Sequence, residues 1–438
     1  MNHRSNHNLD DTKKRKNLNS PLALFTKLDI INYIFCYFEG IMITLEKFLD
    51  FNFPVIYHLT VTGRCNAKCV GCINTLMYGE RGSFASTWED GFEKNIHILR
   101  NLLSSSKNQK IFISFYGGEP LLVYDKVLRY YYVIKNKFKD KDLKFVLFTN
   151  GMLLDKALSK NAEFFDNLEL LIVSIDGKKE QHERFRRGTQ LDKIISNLSL
   201  LKKTSKVKVL MWSTLREEMS LRNCVEEFLW LRENSLCDYF FWHLIEEKTP
   251  ISNFHKFFKE YTKDLEFLFA LFENKLSQRE ILPILPLCEL FYFLLKGISR
   301  GQTGCGVEKL RNFDILGGRV FPCVDLGDEI EITLENNGEG GVKICQEVER
   351  TLLRLVSYKE YFGCKFCEAE FYCGGRCPVL IKTSPERARQ YCELTKYMVK
   401  LAKERHLLIK NLLEEAKMSL EDLYYPYGYL ALLTDVVP

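Results

Sequence analysis

The sequence predicts an α/β protein in which a partial (β/α)6, TIM-like barrel is followed by a cysteine-rich C-terminal domain. Three observations carry this expectation. Between Pro54 and about Glu246, short β-rich apolar runs alternate with longer amphipathic ones. Cys65, Cys69 and Cys72 follow the first of those runs in one short loop. Most of the remaining cysteines gather between residues 288 and 392.

Residues 1–20 are polar and basic and read as disordered, and residues 21–53 as a helical cap built from Leu22–Phe38 and Ile41–Leu49. Lys27, Asp29 and Glu39 interrupt the apolar stretch from Leu22 to Leu45, which excludes both a bilayer span and a secretory signal. A cytoplasmic protein without a membrane partner is expected. The 62 basic and 57 acidic residues leave a net charge of +5, too small a bias to argue for nucleic acid. Fifteen cysteines in a reducing compartment point to metal or redox work rather than to disulfides.

Six strands are placed at Val55–Thr62, Ile111–Tyr116, Lys144–Thr149, Leu168–Ile175, Lys206–Leu215 and Tyr239–Ile245, each largely apolar as buried parallel strands are. Active sites of such barrels lie at the C-terminal ends of the strands. There the chain carries Cys65, then Gly117-Gly118-Glu119-Pro120, then Asn150-Gly151, then Ser174 with Asp176. Residues 247–287 form a helical linker, with Phe254, Phe257, Phe258, Tyr261, Leu265 and Leu268 at helical spacing and Ser252 as its cap. Residues 288–392 read as a small domain organised by metal more than by a hydrophobic core. Residues 393–438 supply a helix from Glu393 to Lys417 and a Tyr-rich tail.

Three cysteines spaced as Cys65, Cys69 and Cys72 ligate three irons of a 4Fe-4S cube and leave the fourth open, although the spacing alone also fits a structural zinc loop. Gly117 and Gly118 let backbone approach a ligand, Glu119 offers an acceptor to an ammonium group, and Ser174 and Arg186 offer donors to a carboxylate. An acceptor and a donor on one rim suit an amino acid, as does an open iron that its amine and carboxylate chelate.

On these residues the chain resembles the radical S-adenosylmethionine (SAM) superfamily over roughly residues 54–246, through Cys-x3-Cys-x2-Cys, Gly-Gly-Glu-Pro and Ser-Ile-Asp-Gly. The resemblance implies SAM held by Gly117, Gly118, Glu119, Ser174 and Arg186, with Pro120 and Asn150 on the same rim. It also implies a 5'-deoxyadenosyl radical released by one electron from the cluster. Most members carry an aromatic residue before the third cysteine, where this chain has Gly71.

A second constellation, Cys364-x2-Cys367-x5-Cys373-x3-Cys377, is preceded by Cys305 and Cys323 and followed by Cys392. As a fragment it fits a zinc knuckle equally well. In this order the seven cysteines resemble the SPASM extension of radical enzymes that modify peptides and proteins. That resemblance implies two auxiliary clusters, one on Cys364, Cys367, Cys373 and Cys392, the other on Cys305, Cys323 and Cys377. Cys288 or a substrate atom is left to complete the second. Cys36, Cys224, Cys237, Cys288 and Cys345 otherwise read as core thiols.

The function expected is radical modification of a peptide or protein residue, as a crosslink or thioether, with a flavodoxin or ferredoxin as electron donor. A sulfatase-type maturase forming formylglycine is one alternative, and a non-catalytic electron-transfer protein another. Maturases carry an aspartate directly after the cysteine matching Cys323, whereas here Val324 intervenes before Asp325. Asp325, Asp176 and Glu246 are the candidate bases.

Overall fold

Every strand of the barrel region alternates between two apolar faces, and this alternation builds the molecule. The structure is a computed structural model that describes residues 54–72, 91–105, 110–326, 330–332, 335–336, 342–343, 346–424 and 437–438. The expected N-terminal cap, Cys36, Cys345 and most of the Tyr-rich tail lie outside the described residues.

Strands β1 (Val55–Thr62), β2 (Ile111–Gly117), β3 (Leu143–Thr149), β4 (Leu170–Ser174), β5 (Val209–Leu215) and β6 (Tyr239–Leu244) lie in sequence order and pair in parallel. Val55, Tyr57, Leu59 and Val61 of β1 face a core shared with Ile111, Ile113 and Phe115 of β2 and with the surrounding helices. Ile56, Phe112, Val146, Leu170, Ile172, Leu210 and Phe241 form a separate inner core, closed by Leu285. The helix Tyr124–Lys137 shows how the outer layer docks, burying Tyr124, Val127, Tyr130, Tyr131 and Ile134 at helical spacing.

The sheet is wider than the sequence predicts. Strand β7 (Asn312–Leu316) pairs in parallel with β1, and β8 (Arg319–Phe321) pairs antiparallel with β7, giving the order β6-β5-β4-β3-β2-β1-β7-β8. Tyr57 and Phe313 stack across the β1–β7 seam with ring centroids 5.3 Å apart. Among the described residues the C-terminal region shares most of its core with the barrel, with Leu316 and Phe321 forming a small cluster apart. Leu290, Phe291, Val307, Phe313, Ile315, Tyr372 and Leu380 belong to the same apolar cluster as the barrel helices. This corrects the expectation of a domain held mainly by metal: pairing with β1 gives the region apolar support of its own. Residues Thr44–Pro438 form one compact unit.

Two helix boundaries differ from expectation. The linker helix is Phe254–Ser277, capped by Asn253, whose side chain accepts from Lys256 N at 3.1 Å, while Ser252 donates to Glu217 instead. The C-terminal helix is Pro385–Ala416, with Pro385 in its first turn, so Cys392 lies on the helix. Among the described residues, no helix is long and apolar enough to cross a membrane.

Candidate functional site

The loop carrying Cys65, Cys69 and Cys72 leaves the end of β1 and crosses the rim formed by the other strand ends. It is fastened at several points. Lys68 N donates to Arg187 O at 2.7 Å, Val70 N to Phe185 O at 2.8 Å, and Arg216 Nε to Val70 O at 2.7 Å. Gly118 N donates to Thr62 O at 2.8 Å and Glu119 N to Arg64 O at 2.9 Å. A Cβ on Gly117 would stand 2.2 Å from Thr62 O, and one on Gly118 would stand 2.2 Å from Arg64 O. The glycine pair is thus required by the chain that leads into the cysteine loop, closer packing than an opening for a ligand would need.

Glu119 is fully buried. Its carboxylate accepts from Leu121 N at 3.1 Å, Thr149 Oγ1 at 2.8 Å and Asn150 N at 2.7 Å, binding the end of β2 to the end of β3. Burial pushes its carboxyl up to about 7, against the pull of these three donors. The residue expected to accept an ammonium group thus also joins the ends of β2 and β3. Asn150 continues the chain of contacts, its Nδ2 lying 2.8 Å from Asn66 Oδ1 and 3.9 Å from Cys65 Sγ.

On the opposite side of the loop, Asp176 is a fully buried hub. Arg186 pairs with it through Nε and Nη2, both at 2.9 Å, Arg216 Nη1 reaches it at 2.8 Å, and Thr214 N donates to it at 2.9 Å. Burial would raise its pKa, but the two guanidinium groups prevail and hold it down at about 2. A carboxylate so paired is a weak base. Arg186 keeps a second role, because its charge lies close enough to Cys69 to offset part of the burial that raises that thiol. Ser174 sits half-buried at the end of β4.

Cys69 and Cys72 lie close enough to act on the Cys65 thiol. Burial pushes Cys65 up to about 11, with the Ala67 amide opposing and Glu119, Cys69 and Cys72 adding to the rise. The seven C-terminal cysteines fall into two groups by the same measure. Burial raises Cys364 to about 11 with help from Cys373, Cys392 and Cys367, and raises Cys323 with help from Asp325, Asp314, Cys305 and Cys377. Cys288 joins neither. It is fully buried in the helix Leu285–Lys296 and donates to Leu282 O at 3.3 Å. Asp325 stands half-buried in the turn Val324–Leu326, and Glu246 lies beside Cys377 and 3.6 Å from His243 Nδ1. The described cysteines are free thiols. Among the described residues, no three or more His, Cys, Asp or Glu side chains gather tightly enough to hold a single metal ion.

Gly71 has φ +64, and a Cβ there would lie 2.4 Å from Ile245 Cδ1 and 2.9 Å from Glu247 Oε1. The end of β6 occupies the space an aromatic side chain would need, which accounts for glycine at this position.

Reading the strands as continuous apolar runs misses the inner face of the sheet. His58, Tyr116, Phe148, Trp212 and His243 form an aromatic band across β1, β2, β3, β5 and β6, with successive ring centroids 5.9, 5.2, 5.7 and 5.5 Å apart. Period-two alternation marks them in the sequence, since each lies an even number of residues from an inner core position of its strand. Asp314 of β7 pairs with His58 in register and accepts from Val324 N at 2.8 Å, and burial raises its carboxyl to about 6.

The sequence profile of the Radical SAM superfamily matches residues 59–242. Among solved structures the chain is similar to His-tagged anSMEcpe with bound AdoMet, at 20% identity and a TM-score of 0.62 over 87% of this chain and 98% of that one. It is similar to native anSMEcpe with bound AdoMet and Kp18Cys peptide, at 20% identity and a TM-score of 0.60 over 83% and 99%. A third similar structure, Streptococcus suis SuiB bound to precursor peptide SuiA, has 17% identity and a TM-score of 0.44 over 80% and 74%. No curated protein matches the chain. The likeness to the two anSMEcpe structures establishes the fold, which is the open parallel sheet described above. The profile match is to a radical SAM domain over residues 59–242, and the protein is an enzyme.

Proposed function

We propose that this enzyme modifies a residue of a peptide or protein, using SAM and a 4Fe-4S cluster on Cys65, Cys69 and Cys72. The observation that carries the reading is the loop itself: three cysteines in one loop at the end of β1, with Cys69 and Cys72 acting on Cys65 and the Arg186 charge beside Cys69. The donor set fits the cofactor, because three thiols on one loop leave one iron for a further ligand. When bound, the pair supplies a 5'-deoxyadenosyl radical that takes a hydrogen atom from the substrate.

The chain's own residues do the rest. Glu119 and Asn150 fix the Cys65 side of the loop, and Arg216 fixes Val70. Gly117, Gly118, Pro120, Ser174 and Arg186 border the place where SAM would lie. The aromatic band beneath shields that place from water and presents a wall for a substrate side chain. Cys364, Cys367, Cys373 and Cys392 would hold one auxiliary cluster, and Cys305, Cys323 and Cys377 another, in the manner of a SPASM domain. The peptide bound in the anSMEcpe structure supports a peptide substrate. A flavodoxin or ferredoxin in the cytoplasm would supply the electron.

Formylglycine formation is kept as a second reading, with Asp325 as its candidate base; the Asp325 and Asp314 carboxylates both help raise the Cys323 thiol. The test is anaerobic reconstitution with iron and sulfide, then dithionite and SAM. Formation of 5'-deoxyadenosine that Cys65→Ala abolishes is the expected result. Stoichiometric zinc with no absorbance near about 400 nm would refute the reading. Mass spectrometry of a modified peptide separates crosslink or thioether from formylglycine.

A further inference from the structure

Arg376 lies between the two C-terminal cysteine groups, one residue before Cys377 and three after Cys373. It is only 4% exposed. Its Nη1 donates to Val437 O at 2.8 Å, and its Nη2 donates to Thr395 Oγ1 and to Pro438 O at 3.4 Å. Nε is enclosed and meets no acceptor among the described residues. Arg376 also lines a small cavity together with Cys305, Cys377, Gly375, Thr303 and Val437. Burial opposes its charge, and the sulfurs of Cys373 and Cys392 beside it hold that charge on.

Among the described residues no Asp or Glu side chain is hydrogen-bonded to this buried cation; its partners are the Val437 carbonyl, the Thr395 hydroxyl and an oxygen of the last residue, Pro438. A buried donor left without an acceptor is costly. A thiolate-ligated cluster answers that need, since it carries negative charge and its sulfurs accept N–H donors. We propose that Arg376 is a positioning residue for electron transfer, whose guanidinium charge and Nε–H raise the reduction potential of the cluster on Cys364, Cys367, Cys373 and Cys392. The inference rests on the proposal that the two cysteine groups ligate clusters. The step concerned is transfer of one electron into that cluster from a low-potential reductant. No proton moves and no covalent bond forms or breaks, so the added negative charge is what the cation stabilises.

The test uses the full chain carrying Cys65→Ala, Cys69→Ala and Cys72→Ala, which leaves only the C-terminal irons, titrated with dithionite and followed by electron paramagnetic resonance. With about eight irons per chain, Arg376→Gln is expected to lower one midpoint enough to change the oxidised-to-reduced ratio about tenfold at fixed potential, about 59 mV for a one-electron couple. Arg376→Lys, which keeps the charge, should recover most of the shift. An unchanged midpoint in Arg376→Gln at full iron content overturns the inference and leaves the cluster reading standing. Iron absent from the parent chain overturns both. Should Arg376→Gln fail to fold, the parent chain decides: labelled arginine nitrogen should couple to the reduced cluster in pulsed resonance spectra, and no coupling overturns the proposal.

Discussion

At the scale of single residues, steric demands at glycines and charge inside the rim set the cluster loop. Gly71 has a left-handed backbone, and a Cβ there would press on the ends of the Ile245 and Glu247 side chains. Gly71→Phe should therefore cost the loop about 1–3 kcal/mol in backbone strain alone. Loss of the iron bound by the first loop and at least about a tenfold fall in 5'-deoxyadenosine are the expected outcome, read by iron assay and chromatography. Glu119 makes a second, pH-dependent prediction. Its carboxyl is raised from 4.5 to about 7 in the folded chain, so the folded state binds more protons than the unfolded state between those values. Its contribution to stability is therefore greatest below pH 4.5 and falls by roughly 3 kcal/mol as pH rises through about 7. Chemical denaturation of the wild type and Glu119→Gln across that range should show the wild type losing stability relative to the variant. Equal slopes would mean that Glu119 is already ionised. The sequence made Glu119 visible as part of a motif, but not its use, because the donors that satisfy it come from another strand end.

At the scale of elements, local signals were legible and long-range ones were not. Strand β1 lies where the apolar run places it, and β2, β3 and β6 differ from expectation by a residue at an end. Strand β5 begins at Val209 rather than Lys206, because Asp238 meets Lys202, Lys208 and Val209 N at the sheet's lower edge. Strand β7 escaped notice, since Asn312-Phe313-Asp314-Ile315-Leu316 is short and mixed, and its partner β1 lies far back in the chain. Cysteine spacing identified the C-terminal groups without revealing how they approach. Gly374 brings them together: with φ +62, a Cβ there would lie 1.7 Å from Gln302 O. Arg300 secures the same contact, its N donating to Phe371 O at 2.8 Å and its Nε to Tyr372 O at 2.7 Å. Gly374→Ala should separate the Cys305 loop from Cys373 and Cys377, lowering C-terminal iron by half or more while the first loop keeps its metal. A smaller effect is expected at Asn253, where Asn253→Ala should cost about 1 kcal/mol of unfolding free energy through the lost cap.

At the scale of the whole molecule, barrel and C-terminal region are one structure. Strand β7 covers the edge of β1, and the helix Pro385–Ala416 is tied to the segment after β6, through Arg387 Nη1 to Thr249 O at 2.6 Å and Ile251 N to Gln390 Oε1 at 2.7 Å. A fragment ending at residue 246 would expose the β1 edge and the apolar surface that Phe313 and Ile315 cover. Such edges template association between chains. The fragment should aggregate where the full chain remains monodisperse, as light scattering would show. The aromatic band has an optical consequence. Of the chain's four tryptophans, Trp242 is sealed in the core and Trp230 stands 44% exposed on a helix, whereas Trp212 faces the inside of the barrel half-buried. Its indole emission would then be a built-in gauge of occupancy, dimming or shifting colour when a guest molecule enters and returning when the guest departs.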